Sequence, residues 1–257
     1  MTAPASRIVD VWHARADAVS EADYAALAGT LCEEERRRAH AFAFAADRRR
    51  FTVAHGLLRV LLADRADCTP EALRFTAGPA GKPALQPPVD DLHFSLSHGG
   101  DELLIAVTRG MLVGVDIEPL ARKVAWQELA RRTFAPSEHV ALLALPPELR
   151  ETAFLTCWTR KEAYVKARGE GLGRGLGTFS VAVDPRQRAA LLSDDADPSA
   201  PACWELHGLE LGSDACAALA VECNGSQIRV HRISRGSRHC LLGPRHGARS
   251  GTGRVVG

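Results

Sequence analysis

The sequence predicts an α+β protein built from two similar halves. Its 257 residues suit one large domain or two small ones, and 46% hydrophobic with 25% charged residues is an ordinary globular mixture. In each half, segments with apolar residues three or four apart are followed by short alternating segments, which indicates helices and then antiparallel strands. The shared order suggests two related halves, although the halves show no clear repeat at the level of residues.

The first half is predicted to begin with a strand and to end with a hairpin. Three glutamates open the first helical segment and three arginines follow, which suits the helix dipole. Asp47 is predicted to cap the second helix, and Gly99-Gly100-Asp101 to turn the hairpin. The predicted elements are a strand over 6–13, helices over 33–46 and 48–66, a loop over 77–91, and hairpin strands over 93–98 and 102–108.

The second half is predicted to carry three helices between strands. Gly169 is placed where a glycine ends a helix. The predicted elements are a strand over 112–118, helices over 125–134, 137–144 and 148–168, and strands over 178–184, 203–209, 215–223 and 227–233. We therefore divide the chain into an N-terminal half (1–111), a C-terminal half (112–233) and a flexible tail (234–257), in which Gly, Arg and Ser replace apolar periodicity.

Charge and cysteine content exclude several classes of protein. The formal net charge is +1, from 32 basic and 31 acidic residues, so no global field favours nucleic acid or a membrane as partner. Seven cysteines without a Cys-x-x-Cys pair fit neither a disulfide framework nor a zinc site. The N-terminus lacks the pattern of a signal peptide, and no stretch approaches 18 apolar residues. We expect a cytoplasmic protein with reduced thiols.

Two carboxylates on one strand are the first candidate site. In LVGVDIE (112–118), Val113, Val115 and Ile117 are predicted to face one side of the strand. Asp116 and Glu118 then share the opposite side, about 7 Å apart along the backbone. Such a pair can converge on Mg²⁺, which prefers oxygen ligands and leaves positions for phosphate and water. A solvated strand end is the alternative.

The helix over 148–168 supplies a second candidate. Phe154, Trp158, Glu162 and Lys166 recur at a spacing of four, so they form one stripe that is apolar first and charged later. Lys161, next to Glu162, is expected to add a second ammonium. One carboxylate with two lysines suggests a site for a phosphate bridged by a metal. The alternative is a surface pair of Glu162 and Lys166, worth about 0.3–0.5 kcal/mol.

Other residues are weaker candidates. His98 follows Ser95 and Ser97 on an alternating strand, and Lys82 lies on a loop stiffened by Pro83. The arginines of 48–50 open a helix, where an N-terminus favours phosphate. The glycine-rich segment 171–177 follows a helix and so lacks the setting of a dinucleotide loop, and P-loop, zincin and hydrolase motifs are missing from the sequence.

The order GKP, FSLSH, GVDIE, FLTCWTRKEAYVKARGEGL resembles the 4′-phosphopantetheinyl transferases of the Sfp type, over about residues 30 to 183. GVDIE and WTRKEAYVK together are quite specific. The resemblance implies a pseudo-dimer of two similar α+β halves with coenzyme A in the cleft between them. It also implies transfer of phosphopantetheine from coenzyme A to a serine of an apo acyl or peptidyl carrier protein, with Mg²⁺ as cofactor and 3′,5′-ADP as product. One chain carries both halves, so we expect a monomer.

The resemblance also implies roles for single residues. The metal would be held by Asp116, Glu118 and Glu162, and the catalytic residues would be Glu162, Lys166 and Lys161. Glu162 would also take the proton of the carrier serine, directly or through water. Coenzyme A would be bound by Arg50, Arg38, Lys82, Ser97 and His98. Glu35 departs from the pattern, because relatives often place a lysine there.

Two other functions remain open on the residues alone. An acid-x-acid strand with a downstream glutamate and lysine also suits a Mg²⁺-dependent phosphodiesterase or nuclease. Neutral net charge, and the lack of basic stripes interleaved with aromatic residues, speak against a nucleic-acid substrate. A non-catalytic module that binds coenzyme A or a carrier protein is the other alternative, against which the intact acidic positions argue.

Overall fold

A computed structural model describes residues 7–78, 80–86, 89, 91–212, 214–222, 225–233 and 255–256. The strands are β1 Ile8–Arg15, β2 Phe75–Ala77, β3 Pro83–Leu85, β4 Leu92–Gly99, β5 Glu102–Arg109, β6 Val113–Pro119, β7 Phe179–Val181, β8 Leu191–Asp194, β9 Glu205–Leu209, β10 Ala215–Val221, β11 Gln227–Ile233 and β12 Val255–Val256. The helices are α1 Glu21–Thr30, α2 Glu33–Ala41, α3 Ala45–Ala66, α4 Trp126–Thr133, α5 Pro136–Ala144, α6 Pro147–Arg168 and α7 Ala200–Cys203.

The two halves repeat one topology, which confirms the predicted fold class. In the first sheet the strands run in the order β11-β1-β5-β4, and in the second in the order β12-β9-β10-β6. Each half therefore starts with a strand (β1 or β6) that pairs with the last strand of its own hairpin (β5 or β10). Three helices follow the first strand in each half, and the third, α3 or α6, has 22 residues in both halves; the second half adds the short helix α7 before its hairpin.

Each long helix packs on the sheet of its own half. Helix α3 buries Val53, Leu57 and Leu61 in a core shared with β4 and β5. Helix α6 buries Phe154 and Tyr164 in a separate core with β7, β8 and β10. As predicted, Gly169 ends α6 in a left-handed conformation with φ of 68°, which glycine adopts without a Cβ clash.

The sheets of the two halves meet through a third core. It contains Val9 and Leu104 from the first sheet and Val115, Ile117 and Leu219 from the second. The predicted alternation along β6 is therefore confirmed: its apolar side joins the halves, and the opposite side is left for Asp116. At the junction Ser95 of β4 accepts a hydrogen bond from the backbone N–H of Val115 at 3.1 Å, so β4 and β6 lie side by side.

The last described long strand crosses to the other half. Strand β11 pairs in parallel with β1, so residues 227–233 belong to the sheet of the first half and not to the predicted C-terminal half. The division at residue 111 stays a prediction. Of the predicted tail, residues 234–254 and 257 lie outside the described residues, and Val255–Val256 pairs with β9.

Several local predictions were wrong. The predicted helix 33–46 ends at Ala41, because the backbone at Phe42 is extended. The helix predicted over 48–66 begins at Ala45, and Phe44 takes the capping position predicted for Asp47. Asp47 lies in the first turn and pairs with Arg50 at 2.7 Å. The predicted loop 77–91 contains β3, which pairs with β2. Strand 178–184 ends early, at Val181, where pairing with β8 becomes irregular. Helix α1, strand β8 and helix α7 were not predicted.

Two further predictions concern membrane-spanning segments and the state of the cysteines. Within the described ranges, no helix has both the length and the apolar character needed to cross a membrane. Five cysteines in that part of the chain are free thiols: Cys32, Cys68, Cys157, Cys203 and Cys216.

Candidate functional site at the junction of the halves

A glycine on β6 allows α6 to lie directly on the strand. A Cβ atom at Gly114 would stand 2.1 Å from the carbonyl oxygen of Ala163 and 2.3 Å from the backbone nitrogen of Ala167. These distances are far below van der Waals contact, so only glycine permits this approach. Glu162 and Lys166 immediately precede these two alanines on α6, so the close packing brings them over the polar side of β6.

Asp116 is the centre of the polar contacts. Its side chain is buried, and its Oδ1 accepts hydrogen bonds from Ser97 Oγ at 2.8 Å and from Lys166 Nζ at 2.6 Å. Lys166 also donates to Ser97 Oγ at 2.9 Å. The structure therefore joins β4, β6 and α6 at one point. The second carboxylate oxygen of Asp116, Oδ2, is buried without a hydrogen-bond partner among the described residues.

Two further carboxylates lie near Asp116. Burial raises the pKa of Glu162, and the negative charges of Asp116 and Glu118 add to this while Lys166 opposes it. Burial likewise raises the pKa of Glu118, although its ion pair with Arg122 works against that shift. Glu162 is 9% exposed, and its Oε1 is buried with no described partner. Mutual repulsion of this kind is typical of a site that receives a cation.

The donors suit a divalent cation, but they are not assembled around one. Within the described residues, no three His, Cys, Asp or Glu side chains already form a metal-binding group. Lys166 forms an ion pair with one oxygen of Asp116, and Arg122 forms one with Glu118. The unpartnered oxygens of Asp116 and Glu162 fit Mg²⁺, which binds hard oxygen ligands. Side chains would have to turn for Asp116, Glu118 and Glu162 to hold it together.

A cleft of about 1250 Å³ opens beside these groups. The first half lines it with α2, α3, the β2–β3 loop and β4, and the second half with the end of α6 and the segment after it. Glu162 and Lys166 belong to its lining, whereas Asp116 and Glu118 do not. Charged and imidazole groups in the lining are Glu33, Glu34, Glu35, Arg36, Arg37, Arg38, His55, Arg59, Glu71, Arg74, Lys82, His98, Glu162 and Lys166.

The residues predicted to bind coenzyme A divide into two sets. Arg38, Lys82 and His98 line the cleft. Arg50 and Ser97 do not: the Arg50 guanidinium donates to Asp101 at 2.9 Å, and Ser97 is buried against Asp116. Arg50 still lies close enough to act on His98, whose pKa is lowered by burial and by nearby positive charges, Lys166 first and Arg50 among them.

Lys82 crosses from one half to the other. Its ammonium donates to the backbone carbonyls of Val113 at 2.9 Å and Ala167 at 3.1 Å, at the start of β6 and the end of α6. Burial lowers the pKa of Lys82 to about 8. In this arrangement Lys82 holds the halves together at the cleft, and its predicted contact with a pyrophosphate would require it to leave these carbonyls.

Lys161 does not belong to the site, so its predicted catalytic position was wrong. Its side chain is fully buried, and Nζ donates to both carboxylate oxygens of Glu138 at 2.7 Å and to the carbonyl of Phe179 at 2.6 Å. Adjacent residues of a helix point about 100° apart. Lys161 therefore faces α5 and β7 in the core of the second half, while Glu162 faces the cleft.

A buried group on the cleft wall was missed from the sequence. Glu35 accepts a 2.6 Å hydrogen bond from Arg59 Nε and lies 3.5 Å from Nδ1 of His55. Burial alone would raise the pKa of Glu35, but the hydrogen bonds of His55, Arg59 and the Cys32 amide lower it to about 2. Two features of the sequence could have indicated this group. His55 and Arg59 are four residues apart on α3, and Glu35 departs from the pattern of the family.

Comparison with known proteins agrees with this geometry. The family described as the 4′-phosphopantetheinyl transferase superfamily matches residues 112–220, and the family described as 4′-phosphopantetheinyl transferase, N-terminal, matches residues 17–109. The 4′-phosphopantetheinyl transferase HetI of Nostoc sp. is 36% identical over 197 residues, which span 76% of this chain and 80% of that protein. The 4′-phosphopantetheinyl transferase psf-1 of Bacillus pumilus is 32% identical, over 69% of this chain and 73% of that protein. The chain therefore belongs to the 4′-phosphopantetheinyl transferase superfamily and is an enzyme of that class.

Proposed function

We propose that this enzyme transfers 4′-phosphopantetheine from coenzyme A to a serine of an apo acyl or peptidyl carrier protein, with Mg²⁺, and releases 3′,5′-ADP. One observation carries the proposal. Carboxylates from β6 and α6 face one another beside Lys166 at the edge of a cleft between the halves, and two of their oxygens are buried without a described partner. The names of the relatives support the transferred group.

Lys166 would neutralise charge during the transfer. Its ammonium lies on the cleft lining and is only partly exposed, so its field acts in a region with little water. The serine oxygen would form a bond to the phosphorus that carries pantetheine, while the bond to the ADP oxygen breaks and its electron pair leaves with ADP. Negative charge grows on that leaving oxygen, and a fixed cation stabilises it without reorganisation.

Glu162 would accept the proton of the serine, directly or through water. Burial and the neighbouring carboxylates raise its pKa, which makes its ionised form a stronger base. Asp116, Glu118 and Glu162 would also hold Mg²⁺, which when bound supplies positive charge to the phosphates. Positioning is the main task of the other residues, because phosphoryl transfer needs little covalent help from a protein.

The cleft would bind coenzyme A before the carrier arrives. Its volume of about 1250 Å³ is large enough for a nucleotide with an extended arm, and both halves line it. Arg38, His98 and Lys82 would contact phosphate groups from its wall, while Arg50 and Ser97 would act on them from just outside the lining. We propose that one chain acts as a monomer, since it carries both halves, and that it works in the cytoplasm, where free thiols persist.

The experiment is an apo-to-holo conversion followed by intact-protein mass spectrometry. A set of apo carrier proteins is incubated with the enzyme, coenzyme A and Mg²⁺, and the expected result is a gain of one phosphopantetheine mass. The gain should disappear when the acceptor serine of the carrier is replaced by alanine and when Mg²⁺ is chelated.

Two other outcomes would contradict the proposal. Tight coenzyme A binding without mass gain on any carrier would favour a binding module. Hydrolysis of coenzyme A to 3′,5′-ADP in the absence of a carrier, at a rate that a carrier does not change, would favour a phosphodiesterase.

A further inference from the structure

The buried pair of Glu35 and Arg59 removes a negative charge from the cleft wall. Both side chains are at most 9% exposed, and Arg59 Nε lies 2.6 Å from Glu35 Oε2. Arg59 is otherwise engaged with the backbone carbonyls of Pro70 and Leu73. A free carboxylate at this position would repel an anion, whereas this one is neutralised by a guanidinium that is itself held in place by those carbonyls.

Glu35 contacts His55, whose imidazole lines the cleft. Nδ1 of His55 lies 3.5 Å from Glu35 Oε1, and the ring stacks on Phe51 with 4.0 Å between ring centres. These two contacts fix the plane and the rotation of the imidazole. Its side chain is 25% exposed and lines the cleft. Nε2 has no hydrogen-bond partner within the part of the chain that the structure describes, so this nitrogen is available to a ligand.

A second cation lies against the same aromatic ring. The Arg38 guanidinium carbon is 5.2 Å from the centre of Phe51, and Arg38 lines the same cleft. Arg38 of α2 and His55 of α3 therefore both pack against the ring of Phe51. Two nitrogen donors fixed in this way match a phosphate monoester, which has three acceptor oxygens and up to two negative charges.

We propose that His55 is a phosphate-binding residue that recognises the 3′-phosphate monoester of coenzyme A through Nε2, with Glu35 as the residue that positions it. This rests on the proposed function, because it takes coenzyme A as the occupant of the cleft. With Glu35 Oε1 beside Nδ1 and a phosphate oxygen beside Nε2, each ring nitrogen of His55 would face an oxygen.

The test compares two ligands that differ only in this phosphate. Binding of coenzyme A and of 3′-dephospho-coenzyme A is measured by isothermal titration calorimetry, without metal or carrier. We expect His55→Ala to weaken coenzyme A about tenfold, the effect of losing one charge-assisted hydrogen bond, and to leave dephospho-coenzyme A unchanged. His55→Lys should retain the preference for coenzyme A, because it restores a cation at the same place.

Two controls separate this effect from general damage. His40→Ala removes an exposed histidine from α2, outside the cleft lining, and should keep the wild-type ratio of the two affinities. Arg74→Ala removes a cation from the cleft lining whose guanidinium donates to the carbonyls of Glu71 and Leu73. If Arg74→Ala and not His55→Ala abolishes the preference, the phosphate lies elsewhere and the inference is overturned.

The result for the wild-type enzyme distinguishes this inference from the proposed function. Equal affinity of the wild type for both ligands, with carrier modification intact, would overturn the role of His55 alone. An equal loss for both ligands in His55→Ala would also overturn it, since the residue would then act on the shape of the cleft. A wild type that binds neither ligand, with Mg²⁺ added as well as without it, would overturn both proposals.

Discussion

Lys166 Nζ lies 2.6 Å from Asp116 Oδ1, so the end of α6 and the middle of β6 are joined by an ion pair at the edge of the cleft. The pair is asymmetric: Asp116 is almost fully buried, while about a third of the Lys166 side chain is exposed. A carboxylate buried this deeply needs a positive partner. Lys166 provides one, and a divalent cation, if Asp116 held one, would supply further positive charge.

Replacing Asp116 by asparagine should remove activity and keep the fold. Asp116→Asn preserves the size of the side chain and an oxygen for the Ser97 hydrogen bond, but it removes the negative charge that would hold Mg²⁺. We expect the rate of carrier modification to fall about a hundredfold or more, which corresponds to roughly 3 kcal/mol of transition-state stabilisation. Asp91→Asn, at an exposed ion pair with Arg109, is the matched control and should keep full activity. Unchanged turnover in Asp116→Asn would exclude the metal assignment.

Replacing Glu162 by glutamine should stabilise the metal-free protein. Its pKa is raised in the folded state, so the folded protein holds a proton more tightly than the unfolded chain does. The resulting stability is complete below the unfolded pKa and is lost as the pH rises through the folded pKa, so the ionised group destabilises the protein at neutral pH. We expect Glu162→Gln to raise Tm by about 2–4 °C at pH 7, equivalent to about 1 kcal/mol, and to abolish transfer.

The same variant tests the cation by a measurement other than activity. Mg²⁺ should raise the Tm of the wild type, because a ligand that binds only the folded state stabilises it, and should leave Glu162→Gln almost unaffected. Glu151→Gln, on the same helix, should behave as the wild type. A Glu162→Gln protein with lower Tm at pH 7 and an unchanged response to Mg²⁺ would contradict the prediction.

Local periodicity predicted most of the elements that build the site. The alternation along β6 placed Asp116 opposite the apolar residues, and the spacing of four along α6 placed Glu162 and Lys166 on one face. The turn at Gly99-Gly100-Asp101 gave the hairpin of β4 and β5. These features depend on neighbours within one element, which a sequence shows directly.

Contacts between distant segments could not be predicted in this way. The orientation of Lys161 depends on Glu138, 23 residues earlier on α5, and α5 gave no sign that it carried a buried carboxylate. Strand β11 pairs with β1 across more than 200 residues, so its place in the first sheet could not be inferred from its pattern. Glu35, His55 and Arg59 come together only when α2 packs on α3.

Replacing Lys161 by methionine should lower the free energy of unfolding without a direct effect on catalysis. Lys161→Met leaves Glu138 buried without its cation, and breaking one partner of a buried pair costs about 3–5 kcal/mol. Urea denaturation measures the loss. Adding Glu138→Gln to Lys161→Met removes the stranded charge and keeps one acceptor oxygen for either the Ala135 or the Val181 amide, so it should recover part of the stability. Turnover lost in Lys161→Met at wild-type stability would restore a catalytic role.

Adding one methyl group at Gly114 should damage both the fold and the site. The Cβ of Gly114→Ala would lie 2.1 Å from the Ala163 carbonyl oxygen, and backbone atoms of a packed helix cannot yield as a flexible side chain does. Helix α6 must therefore move away from β6, which costs about 1–3 kcal/mol and carries Glu162 and Lys166 away from Asp116. Gly29→Ala is the matched control: it lies in α1 with nothing within 4 Å of a new Cβ, and should be neutral or stabilising by about 0.5–1 kcal/mol. Denaturation curves and carrier modification are measured for both variants. If Gly114→Ala matched the wild type in stability and turnover, the close packing of α6 on β6 could not be what assembles the site.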